Sequence, residues 1–332
     1  MLVVAAAIAA LSLNTRPIVG VLTLPLDHSE CLSARTMLQH SGTHATSCLS
    51  TLYVKWLESA GARVAPIRYD LPAIELRALL SSLNGALITG GEIDITSLAS
   101  PYMQAAGTLY GYALERHAAS EVWPLWGTCM GLQVLSILGA GSSDVLARRA
   151  YHTNLLLPLS LTPAAQHSRM LCSPTNAPAC EAPVAAAAVA TLTTRNVTVN
   201  LNHDGIPPSA FAYPNGSATP LGRAFRLLSI GSDRRGAPFA TAVEATSAYI
   251  WATQWHPERP QFQWGDEAAK PWGDFFDHGP DAVAAMWAVA SFFVGWTRRS
   301  THHFASAQAE AQALVYNYEA VGDTSAKAYV FG

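Results

Sequence analysis

Four short apolar runs, residues 18–24, 62–67, 85–88 and 122–126, alternate with three segments of helical periodicity, and the last run leads directly into Gly127-Thr128-Cys129-Met130-Gly131. No other feature constrains the fold as much. The first run has no polar–apolar alternation, so it suits a strand buried on both faces. In the helical segment that follows, Leu52, Trp56 and Leu57 share one face, with Ser50 or Thr51 as the N-cap and Gly61 as the stop. Residues 71–83 and 103–117 read as further helices, and residues 132–138 can be helical after the glycine-rich turn. Strand and helix in strict alternation predict an α/β fold of three layers, a mostly parallel central sheet with helices on both faces. In such folds the ligand site lies beyond the carboxyl ends of the strands. Thr89-Gly90-Gly91 and Gly127-Thr128-Cys129-Met130-Gly131 both occupy such ends.

Beyond residue 139 the pattern loosens. Residues 139–220, rich in Ala, Pro and Ser, read as loops and short strands covering the site, with 155–161 the clearest apolar run and the alanine-rich stretch 183–190 not a separate low-complexity domain. Strands return at 225–230, 239–244 and 249–255, followed by a core helix from Asp281 and another helix near 305–318. With no linker and no internal repeat, residues 16–332 are expected to form one catalytic domain.

Composition narrows the class. Half of the 332 residues are hydrophobic and only 13% are charged, against about 25% in ordinary soluble domains. A large buried core is therefore expected, not intrinsic disorder. Twenty basic against 23 acidic side chains, a net charge of -3, argue against a nucleic-acid binder that works through a basic surface. Residues 2–13 form an apolar run too short to cross a membrane and of the length of a signal-peptide core, so residues 1–15 are expected to be a signal peptide, although the basic start is missing. The alternative is a buried first strand or an uncleaved anchor. The apolar stretch 282–296 is also short of a span and reads as a core helix, so no membrane-spanning segment is expected.

The five cysteines are Cys31, Cys48, Cys129, Cys172 and Cys180. In an oxidising compartment Cys31 with Cys48 and Cys172 with Cys180 could close two local loops, leaving Cys129 alone. Asn196-Val197-Thr198 and Asn215-Gly216-Ser217 are acceptor sequons that fit the same secretory picture.

Cys129 stands where chemistry is expected. Flanking glycines permit a tight, strained turn between strand and helix, and the helix N-terminus favours the thiolate, the nucleophilic form of cysteine. A buried structural cysteine is the competing reading. What tips the balance is Gln254-Trp255-His256-Pro257-Glu258 at the end of another strand. A cysteine nucleophile needs a base, and the base needs a carboxylate on its other nitrogen. Cys129, His256 and Glu258 supply those three parts.

Taken together, Gly127-Thr128-Cys129-Met130-Gly131-Leu132-Gln133 and the Gln-Trp-His-Pro-Glu segment resemble the class I glutamine amidotransferase-like superfamily, a flavodoxin-like α/β fold. Residues 16–24, 53–68, 84–94, 123–130, 166–170 and 278–283 resemble, within that superfamily, the gamma-glutamyl hydrolases that trim folate polyglutamates. The likeness runs from about Arg16 to Phe331. It implies a cysteine peptidase of gamma-linked glutamate chains, in the lysosome, the vacuole or outside the cell, with no cofactor. It also implies Cys129 as nucleophile, His256 as base and Glu258 as its partner, with backbone N–H groups of Met130, Gly90 and Gly91 as the oxyanion hole. His167 matches a family histidine near the substrate, and residues 202–206 resemble a loop flanking the site. The chain departs from the family at Gln133, where some members carry Glu, and in residues 27–49, where two cysteines, His40 and His44 replace a short tyrosine-containing stretch.

For the substrate, a folate poly-gamma-glutamate, the expected contacts are His167, Arg169, Gln133 and Arg259, the arginines because each residue of the tail carries a carboxylate. Surface solvation is the equal alternative for both arginines. Trp255, Phe262 and Trp264 are candidates for stacking on the folate rings, with core packing as the alternative. No zinc-binding motif occurs, and His302-His303 read as surface residues. The competing functions are a glutaminase that passes ammonia to a synthase, a small-molecule gamma-glutamyl amide hydrolase, and an inactive secreted binding protein. A homodimer is the expected oligomer.

Overall fold

Buried on both faces as its composition requires, the first strand, β1 (Ile18–Leu22), lies inside the main sheet of a computed structural model of the chain. The structure describes residues 13–27, 31, 34–36, 45–151, 153–172, 183–264, 275–322 and 327–332. In chain order the next strands are β2 (Leu24–Pro25), β3 (Ser47–Ser50), β4 (Arg63–Ile67), β5 (Gly85–Ile88), β6 (Leu125–Thr128), β7 (Leu155–Leu157), β8 (Ser160–Leu161) and β9 (Thr198–Asn200). They are followed by β10 (Phe225–Ser232), β11 (Pro238–Ala245), β12 (Ile250–Thr253), β13 (Ala320–Val321) and β14 (Ala328–Phe331).

Eight of these strands form one sheet in the order β4-β1-β5-β6-β12-β11-β10-β8. The pairs from β4 to β12 are parallel, and β11, β10 and β8 extend the sheet in antiparallel fashion. Successive side chains of a strand face opposite ways, so Ile18 and Leu22 enter one apolar layer while Val19 and Val21 enter the other. Helices Ala73–Leu80, Pro101–Ala118 and Met130–Ala140 cover the first face. Helices Thr51–Ser59, Ala186–Thr194 and Pro280–Thr297 cover the second. The expected α/β architecture of three layers is therefore present. A small sheet, β13-β14-β3-β2, and the pair β7-β9 complete the framework.

Several element limits differ from expectation for identifiable reasons. The fourth apolar run begins its ladder only at Leu125, because Pro124 has no N–H to donate; the strand then continues to Thr128, directly against Cys129. Residues 186–194, taken as loop, form a helix against Pro280–Thr297. The helix near 305–318 is shorter, Ala307–Ala313, and gives way to a 3₁₀ turn at Val315–Asn317. The Ser50 side chain caps the helix Thr51–Ser59 by accepting from the Leu52 N–H, and Gly61 takes φ 85° just past its end.

Cys31 and Cys48 are joined by a disulfide. Cys172 is disulfide-bonded as well, while Cys180 lies outside the described residues, as do residues 1–12 of the expected leader. Among the described residues no helix is long and apolar enough to cross a membrane.

Candidate active site

Strand β6 delivers Cys129 to the site. The residue sits between the strand and the helix Met130–Ala140 at φ 54°, ψ −107°, a left-handed conformation that costs a non-glycine residue about 1–3 kcal/mol. The turn is held by its neighbours. The Cys129 N–H donates to the Thr253 carbonyl on β12 at 2.7 Å. A Cβ on Gly127 would lie 2.7 Å from the Gly131 carbonyl carbon, and one on Gly131 would collide with the Ile88 carbonyl oxygen. Both flanking glycines are thus required by close packing of helix on sheet, and the turn can hold Cys129 at the N-terminal, electropositive end of that helix.

From β12 the chain passes through Gln254 and Trp255 to His256. The His256 N–H is fixed on the Val199 carbonyl of β9 at 3.0 Å, and Nδ1 meets Glu258 Oε1 at 2.7 Å. That leaves the other ring nitrogen, Nε2, outside the contact with Glu258. His256 and Cys129 converge on Gly90 after β5: a Cβ there would lie 3.0 Å from His256 Cε1 and 3.2 Å from Cys129 Cβ. A side chain at Gly90 would press on both residues and on the Tyr53 hydroxyl.

Glu258 is wholly buried. Burial by itself pushes its carboxyl up, but His256, through charge and hydrogen bond, and Arg259 beside it together hold it below the ordinary carboxylate range. The ionised carboxylate can orient the imidazole and stabilise it when it takes a proton. Arg259 Nε lies 3.6 Å from Glu258 Oε1 and its guanidinium donates to Gln263 Oε1 at 2.8 Å. Arg259 thus lies beside the Glu258 carboxylate.

The oxyanion donors divide. Gly90 was expected to offer its N–H, but that group donates to the Tyr53 hydroxyl at 2.8 Å. The Gly91 and Met130 N–H groups have no partner among the described residues. Sequence spacing gave no sign of the Tyr53 contact, which joins residues 37 positions apart.

The substrate residues expected from the sequence have different surroundings. Gln133 is nearly buried and donates from Nε2 to the Asp204 carbonyl and to Gln254 Oε1. Those bonds tie residues 202–206 to Gln254 beside Cys129, and His203 stands exposed on that loop. His167 is exposed too, yet no hydrogen bond among the described residues joins it to the triad. Its neighbours Ser168 and Arg169 are bound to Glu244, which pairs across the sheet with Trp251 and thence with Trp126, three residues short of Cys129. Trp255 is core and Phe262 packs against it, while Trp264 is exposed and stacked on His278 at 4.0 Å between centroids.

Arg169 is held in a structural ion pair. Its guanidinium meets the fully buried Glu244 at 3.1 Å and lies over the Tyr249 ring. Removing one partner of a buried pair is strongly destabilising, because it strands the other charge. Arg169→Ala is accordingly expected to lower stability by about 3 kcal/mol and to leave KM within twofold, checked by urea unfolding beside substrate saturation. A large rise in KM at unchanged stability would return Arg169 to the substrate.

A cysteine outside any disulfide at a strained strand-to-helix turn, over the same glycine as a buried His–Glu pair, suits a cysteine-type hydrolase. The profile of the family described as Peptidase C26 matches residues 29–145. Gamma-glutamyl hydrolase B of Dictyostelium discoideum is 30% identical over 308 residues, 92% of this chain and 79% of that protein. The gamma-glutamyl hydrolase of Rattus norvegicus is 31% identical over 92% of this chain and 85% of its own length, and that of Homo sapiens 30% identical over 82% and 78%. The chain belongs to this family, the gamma-glutamyl hydrolases.

Proposed function

We propose that this chain hydrolyses gamma-glutamyl bonds of folylpoly-gamma-glutamates through Cys129, His256 and Glu258. The observation that carries the reading is the buried His256–Glu258 contact at 2.7 Å, with His256 Cε1 and Cys129 Cβ converging on Gly90. The Cys129 proton passes to His256 Nε2, and the sulfur attacks the gamma-carbonyl carbon. The carbonyl electron pair moves to oxygen, where Met130 and Gly91 N–H groups can donate. Collapse breaks the C–N bond, the departing amine takes the proton from His256, and a thioester remains on Cys129. Water, deprotonated by His256, then hydrolyses the thioester and restores the thiol.

The Cys31–Cys48 disulfide supports a secretory route ending in the lysosome, the vacuole or the extracellular space, since such bonds persist in oxidising compartments. Both sequon asparagines, Asn196 and Asn215, are exposed, which suits a glycoprotein. A homodimer remains the expected oligomer.

Incubation of the chain with pteroylpentaglutamate, and separately with glutamine, at acid and neutral pH tests the reading. Shortening of the folate tail is the expected result, and the product lengths locate the bond cut. Glutamine turnover with the folate untouched would overturn it in favour of an ammonia-supplying glutaminase, and inertness toward both would point to another gamma-glutamyl substrate or a binding role.

A further inference from the structure

Gln254 lies next to the Trp255-His256 pair, has no exposed surface, and donates from Nε2 to Cys129 Sγ at 3.4 Å. Its Oε1 accepts from Gln133 Nε2 at 3.2 Å, and the same Gln133 nitrogen donates to the Asp204 carbonyl at 2.9 Å. Asn202 Nδ2 donates to that carbonyl as well, at 3.0 Å. The direction of this chain of bonds is set at its far end. A backbone carbonyl can only accept, so Gln133 must turn its amide nitrogen toward Asp204. From there its second N–H reaches Gln254 Oε1, and Gln254 is left with its own nitrogen facing the sulfur. A lone glutamine beside the thiol could present oxygen instead, which would repel a thiolate.

We propose that Gln133 and Gln254 form a directional amide relay that presents an N–H donor to Cys129 Sγ, with Gln254 a catalytic residue and Gln133 the residue that positions it. The inference rests on Cys129 being the nucleophile of the function proposed above. A donor to an ionised acceptor is stronger than one to a neutral acceptor, so the relay favours the thiolate over the thiol. Once the Sγ–C bond forms, the sulfur gives up its charge and the bond from Gln254 weakens. The relay therefore acts on forming the nucleophile, whereas Met130 and Gly91 serve the oxyanion. Other titratable or charged groups on the elements around the sulfur are Tyr53, Glu92, His203, Asp204, His256, Glu258 and Arg259. Asp204 is bonded to Gln133 through its backbone carbonyl, which Gln133→Leu frees of that bond, so that variant is read beside Gln254→Leu.

The test is the pH dependence of Cys129 alkylation by iodoacetamide, read on the Cys129 peptide by mass spectrometry, in the full chain and in Gln254→Leu, Gln133→Leu and the double variant. Gln254→Leu is expected to raise the alkylation midpoint by about one pH unit, which is about tenfold in rate on the acid side, with rates converging at high pH. Gln133→Leu should move the midpoint the same way by less, because Gln254 is then free to turn over. The double variant should equal Gln254→Leu alone, since the first member acts only through the second. Coincident midpoints in all four proteins, with only thermal stability altered, would overturn the relay. Alkylation needs no substrate, so a chain that fails to cleave folate polyglutamates can still show the shift, and the two readings fail separately.

Discussion

Replacing Cys129 with alanine is expected to reduce hydrolysis of the gamma-glutamyl substrate by about 10⁴-fold or more while leaving the fold in place. The reasoning starts from the backbone. Cys129 holds φ 54° because its N–H is bound to Thr253 and because Gly127 and Gly131 let the helix press onto β5 and β6. Alanine inherits the same strain, so it is not relieved and thermal unfolding should stay within a few degrees of the parent. What is lost is the sulfur proposed to form the thioester. No other described residue near Gly90 is a free thiol, since Cys31, Cys48 and Cys172 are disulfide-bonded. Water attack assisted by His256 and the oxyanion donors would remain as a slow background. Single-turnover measurement with a gamma-glutamyl substrate checks this, and a variant retaining a tenth of the parent rate would remove Cys129 from the mechanism.

The parts of the site that could be read in the sequence are those in which chemistry is confined to a few neighbouring positions. The strand, the two glycines and Cys129 occupy one short stretch, and His256 and Glu258 are two residues apart. What escaped depends on side chains that meet across the fold. Gln133 and Gln254 are 121 positions apart and Tyr53 and Gly90 are 37 apart, and no periodicity carries such information. Arg169 looked available for a carboxylate because its partner, Glu244, is 75 residues downstream on a strand whose alternation hides an inward-facing charge. The helix at residues 186–194 was missed for another reason. Its run of alanines has little amphipathic contrast, and helical form is imposed there by packing on Pro280–Thr297.

Glu258→Gln is expected to lower kcat roughly 10³- to 10⁴-fold, the loss seen when the acid behind a catalytic histidine is made an amide. The amide is nearly isosteric, so the effect isolates charge and proton direction. As a carboxylate Glu258 can only accept, which forces the proton onto Nδ1 of His256 and leaves Nε2 free to take the thiol proton. The amide can instead present its nitrogen, turn the imidazole to the other tautomer and block that exchange. The same substitution has a pH signature in stability. The Glu258 carboxyl is held below its ordinary range in the folded chain, so between the folded and unfolded values the unfolded state binds a proton that the folded state does not. Its contribution is thus complete above the unfolded carboxyl value, near pH 4.3, and is lost as pH falls through the folded one. The parent should therefore exceed the variant in unfolding free energy at pH 6–7 by about 1–3 kcal/mol, and the gap should close as the pH drops below about 4. Denaturant titrations of both proteins across that range measure it. A gap that stays constant with pH would mean that the carboxylate is not the ionised partner of His256, and the role given to the pair in turning thiol into thiolate would have to pass to another base.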